Sequence, residues 1–180
     1  MAITSPFEVL QALDVSFKAN ACGFPVNTSV TDDWVGVGFQ INHVPFLAIM
    51  DDVSEILLPP STIRVPGVKF WVKGLANIRG ALMPVLDMKA FLYGEATVIG
   101  KNSRVLIVNK KGLIAGLLVE EVYGVRRFKP DERKDEKDPD MGSLQQYLAG
   151  VFVDHVHHWN VFSIDKLVET EQFSCVVCVG

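Results

Sequence analysis

From Trp34 the chain alternates apolar residues with small or polar ones. Val35, Val37, Phe39 and Ile41 recur at a period of two. After Asn42-His43 so do Val44, Phe46, Ala48 and Met50. Alternation on both sides of a turn dipeptide predicts a β-hairpin. Val53–Leu58 reads as another short strand, stopped by Pro59-Pro60. The run from Val65 to Asp87 reads as strand, tight turn, strand and helix start. Asp87 caps a short helix over Met88–Tyr93, which Gly94 ends. A second set of strands follows. Val105–Val108 and Leu113–Val119 form a hairpin about Lys110-Lys111-Gly112, and Val122, Val125 and Phe128 mark a further strand. Tyr147–Val153 and His158–Ser163 predict a last hairpin, and Ile164–Glu171 a closing helix.

The flanks differ. Ser5-Pro6-Phe7-Glu8 is a capping box, and Phe7, Leu10, Leu13 and Phe17 recur at helical spacing before Gly23. An N-terminal helix is expected there, with a linker rich in Pro, Asn, Thr and Asp from Phe24 to Asp33. Lys129–Asp140 is dense in charge, with two prolines and no apolar residue. It predicts a solvated loop with room for a short helix over Asp131–Lys137. Phe173–Val179 is an apolar tail that should pack down.

Many short strands with Gly and Pro turns argue for small antiparallel barrels rather than a parallel sheet with crossover helices. The expected fold is mainly β. It consists of two small SH3-like antiparallel β-barrels, roughly 34–97 and 98–168, packed together, with an added N-terminal helix and a short C-terminal helix. Each barrel alone would have a modest core, so the pair should share an apolar interface. Residues 1–33 form the helix and linker, and 34–180 the main domain.

Composition narrows the function. The 180 residues are 49% hydrophobic and 21% charged, with a net charge of -4. That is a globular composition, with no electrostatic drive toward nucleic acid. Apolar runs such as Leu113–Val119 fall far short of the ~20 residues a membrane span needs. The first residues lack a basic and apolar leader pattern, so no signal peptide is expected. The three cysteines, Cys22, Cys175 and Cys178, suit a reducing cytoplasm better than a disulfide framework.

Candidate catalytic and metal-binding patterns have plainer structural explanations. On a strand, His155 and His157 would share a face while His158 points away, so a polar turn explains the cluster better than a metal site. Cys175-Val-Val-Cys178 lacks a redox context and reads as tail packing. Gly36-Val-Gly38 lies in a strand, where glycine marks a bulge or a close approach rather than a phosphate cradle. Trp71 and Trp159 read as core or interface anchors. No nucleophile stands in a recognisable elbow, so neither an enzyme nor a cofactor is expected.

Arg79 is the polar residue that stands out. It sits between Gly74 and Gly80 in GLANIRG. It is either a turn arginine bonded to local carbonyls or one that orders a partner-binding surface, with Glu55 a candidate partner. A bidentate Arg–carboxylate pair is geometrically specific and could fix one edge of a subdomain.

The segment VPGVKFWVKGLANIRGALMPVLD resembles the core motif of the CheW-like chemotaxis coupling family. Val53-Ser-Glu55-Ile56, Arg104–Val108, Gly116–Val125, Tyr147–Gly150 and Phe162–Leu167 resemble its other signatures in order and spacing. Glu120 stands where the family usually has Asp. The added N-terminal helix, the WVGVGFQI start, VPGVKFWVKGLANIRG and the apolar C-terminal tail resemble the coupling proteins of type IV pilus twitching-motility systems. The resemblance implies a non-enzymatic cytoplasmic adaptor, recruited to membrane-associated chemoreceptor arrays without inserting in the membrane. It would link the cytoplasmic tip of a methyl-accepting receptor to a CheA-type histidine kinase. A stand-alone module that binds a kinase or motor without a receptor is the alternative. Coupling positions in the family map onto Val53, Glu55, Gly74, Arg79 and Gly80, with Val122 and Val125 in the second barrel. The N-terminal thirty or so residues depart from the minimal family pattern.

Overall fold

A computed structural model describes residues 33–135, 139–154, 157–171 and 173. A division of the chain falls between Thr31 and Asp32, and all described residues lie in the second unit. The expected N-terminal helix, His155 and the Cys175/Cys178 pair lie outside the described residues.

The hairpins fall where alternation put them. Strands β1 (Trp34–Ile41) and β2 (Val44–Ile49) meet at Asn42-His43, both with positive φ. A 3-10 turn, Met50–Asp52, leads into β3 (Val53–Leu57). Then come β4 (Val72–Ile78), β5 (Ala81–Asp87) and helix α1 (Met88–Tyr93). β6 (Arg104–Lys110) and β7 (Leu113–Val119) turn at Lys111-Gly112, and β8 (Glu121–Phe128) follows. The chain closes with β9 (Arg133–Lys134), β10 (Leu148–Val153), β11 (His158–Phe162) and helix α2 (Ile164–Val168). Both helices start on side-chain caps. Asp87 accepts from the Ala90 N–H at 3.1 Å and Ser163 from the Lys166 N–H at 3.3 Å. Gly94 ends α1 in the left-handed conformation. The Asp87 carboxylate is fully buried, and Thr97 donates to it from both N–H and hydroxyl, at 2.9 and 2.6 Å. That satisfies a charge that burial would otherwise penalise heavily.

The division at 97/98 does not survive. The strands form a six-stranded sheet, β8-β1-β2-β11-β10-β9, and a five-stranded sheet, β3-β6-β7-β5-β4. The first hairpin therefore belongs with the last four strands, and residues 53–119 build the other sheet between them. Each sheet also holds a parallel pair, β2·β11 in one and β5·β7 in the other, among otherwise antiparallel pairings. Alternation reports which face of a strand is buried but not which distant strand lies beside it, so sheet membership was not readable locally.

Both sheets follow one plan. In each, two antiparallel hairpins join through a parallel pair, and the two edge strands are consecutive in sequence: β3 and β4, β8 and β9. Each sheet also encloses apolar side chains drawn from its own strands. Ala76, Ile78, Met83, Val85, Val105, Ile107 and Leu118 cluster within the five-stranded sheet. Leu47, Phe128, Phe152, Trp159 and Val161 cluster within the six-stranded one. Such self-enclosed cores are the mark of two small barrels. A larger shared core lies between them, including Val37, Phe39, Phe46, Leu106, Val108, Leu117 and Phe162. This is the shared apolar interface that the small size of each barrel demanded.

Glycines admit the large groups. A Cβ on Gly38 would stand 3.0 Å from the Trp159 ring, and one on Gly36 2.4 Å from Trp34. These are close approaches, as their strand setting suggested.

The acidic-basic loop is only partly free. Side chains 129–135 are exposed, but Arg133 and Lys134 pair with Phe152 and Val151 as an edge strand, and Arg133 donates to the Ala149 carbonyl. The expectation of a wholly solvated loop overlooked backbone pairing, which needs no apolar side chain. Gly150 makes room for this edge. It has φ 138, and a Cβ there would meet the Lys134 carbonyl oxygen at 2.7 Å. Gly150→Ala is expected to cost roughly 1–3 kcal/mol through backbone strain alone, read as a melting temperature lowered by several degrees. An unchanged melting temperature would show that the β9 edge does not matter to the barrel.

Candidate functional site

Arg79 and Gly80 are the two loop residues of the β4–β5 hairpin, flanked by the paired Ile78 and Ala81. Both have positive φ, 53 and 88, which makes a tight turn that follows the twist of its strands. Asn77 Oδ1 accepts from the Gly80 N–H at 2.9 Å. The Arg79 guanidinium donates to Glu55 Oε1 at 2.5 Å. Glu55 stands on β3 and Arg79 follows β4, the two edge strands of the five-stranded sheet. The ion pair thus spans the seam of that barrel. The arginine side chain is 78% exposed and the carboxylate 26%, so the pair forms part of the surface.

A backbone bridge closes the same seam further along. Ile63 and Leu75 exchange N–H to carbonyl bonds at 2.7 and 2.9 Å. Gly74 makes this approach possible. Its φ is 137, and a Cβ would come within 2.3 Å of the Ile63 carbonyl oxygen. The register shifts between Val72 and Gly74, which marks a bulge.

The remaining positions lie elsewhere. Val53 is 7% exposed and packs in the shared core. Val122 packs against the same core. Both it and Val125 belong to β8, in the sheet of the first hairpin and not in a barrel of residues 98–168. A register shift aligns Val125 with Val37 and Val122 with Phe39. Cross-strand partners share a face, so the bulge brings the two valines onto one side, which their odd separation would not. Val125 is exposed beside a cleft lined by Arg126, Arg127, Glu132, Val153 and Asp154. Arg126 also lies over the Trp159 ring at 5.5 Å. The structure therefore brings Glu55, Arg79 and Gly80 together, sets Gly74 on the same seam, and leaves Val53, Val122 and Val125 apart from them.

Asn77 was missed as a functional residue although it stands in the GLANIRG motif. The signal was its spacing, since an Asn side chain bonds readily to nearby backbone N–H groups in turns. Apolar side chains also surround this barrel's surface. Leu58, Ile63, Phe70 and Leu82 are 66–72% exposed.

Glu120 joins the two barrels. It accepts from the His43 N–H at 3.2 Å and from the Gln40 amide at 3.4 Å, and lies 3.4 Å from Lys89 of α1. Partial burial pushes its carboxyl pKa up, but the bonds from His43, Gln40 and Lys89 outweigh it and hold the value below the ordinary carboxylate range. A folded-state value below the unfolded one stabilises above the ordinary carboxylate pKa, and that contribution is lost as pH falls through the folded value. Wild-type melting temperature should therefore fall on acidification across the carboxylate range, and Glu120→Gln should show a smaller fall. Identical profiles would show that Glu120 is not a coupled group. At the far end, Asp52 and Asp165 hold Lys110 at 2.6 and 3.0 Å, and their hydrogen bonds raise its pKa.

Among the described residues no three His, Cys, Asp or Glu side chains are grouped to hold a metal ion, and no helix is long and apolar enough to cross a membrane. What the surface offers is an ordered ion pair, exposed apolar side chains and two barrel seams, which suit contact with another protein.

Comparison with known proteins agrees. The CheW-like domain model matches residues 35–172. Protein PilI of Pseudomonas aeruginosa is 36% identical over 171 residues, covering 95% of this chain and 96% of PilI. Chemotaxis protein CheW of Bacillus subtilis is 28% identical over 115 residues, 61% of this chain and 73% of that protein. The crystal structure of the scaffolding protein TtCheW from Thermoanaerobacter tengcongensis superposes with a TM-score of 0.68 at 22% identity, covering 78% of this chain and 95% of that one. This last likeness speaks for the fold. The chain belongs to the CheW-like domain family.

Proposed function

We propose that this protein is a non-enzymatic chemosensory adaptor. In this reading it couples the cytoplasmic tip of a methyl-accepting receptor to a CheA-type histidine kinase, in signalling that controls type IV pili. The observation that carries it is the likeness to PilI along nearly the whole chain. The physical character of the surface supports it. The double barrel presents an ordered ion pair and exposed apolar groups, and among the described residues no three metal-ligating side chains are grouped. The adaptor would work in the cytoplasm, recruited to membrane-associated receptor arrays through its partners.

Within this reading Glu55, Arg79 and Gly80 face a partner. Gly74 keeps the seam closed behind them. Val53 and Val122 act through the shared core, and Val125 supplies exposed apolar surface on the other barrel. The guanidinium, fixed at one end by Glu55, keeps N–H groups that can meet a partner's carbonyl or carboxylate oxygens.

The test is reconstitution of the purified chain with a receptor-tip fragment and the kinase. Receptor-dependent control of kinase autophosphorylation is expected only when the adaptor is present. Binding and control of the kinase without any receptor would favour a stand-alone regulatory module instead. Arg79→Ala is expected to lower stability by about 1 kcal/mol or less, as for other exposed pairs, while receptor-dependent control is lost. A variant that folds and couples like the wild type would remove Arg79 from the interface.

A further inference from the structure

The turn that carries Arg79 makes a strict demand on its backbone. Two consecutive residues must hold positive φ, and the first of them is not glycine. A side chain in that conformation crowds its own backbone, so such a residue leaves it readily unless held. Part of the hold comes from the Arg79 side chain itself, through Glu55 at 2.5 Å, and part from outside it. Asn77 Oδ1 binds the Gly80 N–H at 2.9 Å, and the Asn77 side chain is itself exposed.

A second turn in the same sheet repeats the spacing. Asn109, Lys111 and Gly112 match Asn77, Arg79 and Gly80, and Lys111 has φ 52. There Asn109 makes no bond to its turn among the described residues. Lys111 is tied by its ammonium alone, to Glu169 at 2.6 Å and Asp165 at 3.6 Å. That cation serves to anchor the turn to the end of α2. At the β4–β5 turn the backbone is anchored by Asn77, and Arg79 remains 78% exposed.

We infer that Asn77 is a positioning residue for partner binding, holding the Arg79 backbone left-handed so that the guanidinium stays over the seam beside Glu55. The inference rests on the reading that Arg79 faces a partner. Without the Asn77 bond, Arg79 rotates toward negative φ for part of the time and carries its guanidinium away from Glu55. One side-chain to backbone hydrogen bond is worth about a three- to tenfold change in that equilibrium.

The experiment measures binding of the full chain to the receptor-tip fragment and to the kinase, with the melting temperature and the Gly80 amide exchange rate followed in parallel. Asn77→Ala should speed exchange at Gly80 and weaken binding of the Arg79-dependent partner about three- to tenfold, with little change in melting temperature. Asn77→Ser, which keeps a hydroxyl acceptor, should restore part of the loss. Adding Asn77→Ala to Arg79→Ala should weaken binding no further, because Asn77 acts through Arg79. Asn109→Ala should bind as wild type. Wild-type binding by Asn77→Ala while Arg79→Ala is weakened would overturn this inference alone, as would additive losses in the double variant. Wild-type binding by Arg79→Ala would overturn the functional reading on which it rests, and Gly80 exchange would still report whether Asn77 holds the turn.

Discussion

The shared core between the two barrels is the constraint on which the rest of the molecule depends. Strands β1 and β2 are made first, yet they complete their sheet only when β8 and β11 arrive after the whole five-stranded sheet has intervened. Val37, Phe39 and Phe46 from the first hairpin pack with Leu106, Val108 and Leu117 from the inserted sheet. Neither barrel can bury the face it turns to the shared core without the other. Fully burying a large apolar side chain contributes about 1.5–3 kcal/mol, so this interface outweighs any polar contact on the surface. The polar ties across it serve a different end. Glu120 joins the first turn to α1, and Lys110 joins the Met50–Asp52 turn to α2. They set the orientation of two bodies that apolar contact holds together.

Much of this was readable in the chain. Local features carry local signatures, so the hairpins at Asn42-His43 and Lys111-Gly112, the strands beside them and the Asp87–Gly94 helix all lie where alternation and capping placed them. Long-range pairing has no such signature. The parallel contact of Phe46 with Asn160 joins segments that look alike from any sequence distance, and the even split into two halves failed for that reason. The β8 bulge was hidden too, because it depends on which residue of β1 lies opposite. Lys129–Asp140 shows the same limit, since its composition describes side chains and β9 is held by backbone.

The candidate site was legible in its residues and only partly in its geometry. Glu55 and Arg79 stand 24 positions apart, and no periodicity connects them. Their pairing was foreseeable only as one option for an arginine set beside glycine. Gly74 and Gly80 proved to do different work. Gly80 satisfies a turn, whereas Gly74 lets two backbones meet at Ile63. Val53 and Glu55 were grouped as coupling positions, and plain alternation would give them one face, but a register shift between them leaves Val53 buried and Glu55 partly exposed. That distinction separates a residue packed in the scaffold from one available at the surface.

The repeated plan of the two sheets sharpens the meaning of the Arg79 rim. Gly74 in β4 and Gly150 in β10 occupy matching places. Each has φ near +138 and each lets an edge segment, Ile63 or Lys134, approach its strand. The scaffolding features of one barrel thus recur in the other. The hairpin tips do not. The β4–β5 tip is a two-residue turn with an exposed cation, whereas in the β10–β11 connection Asp154 accepts from the Trp159 indole at 2.6 Å and from the His157 N–H at 2.7 Å. A feature that both barrels keep is explained by barrel closure. One that differs between matching tips is not, and an exposed ion pair contributes too little to stability to account for it. The Arg79–Glu55 pair is such a feature, and the proposed contact with a partner supplies an explanation that barrel closure does not.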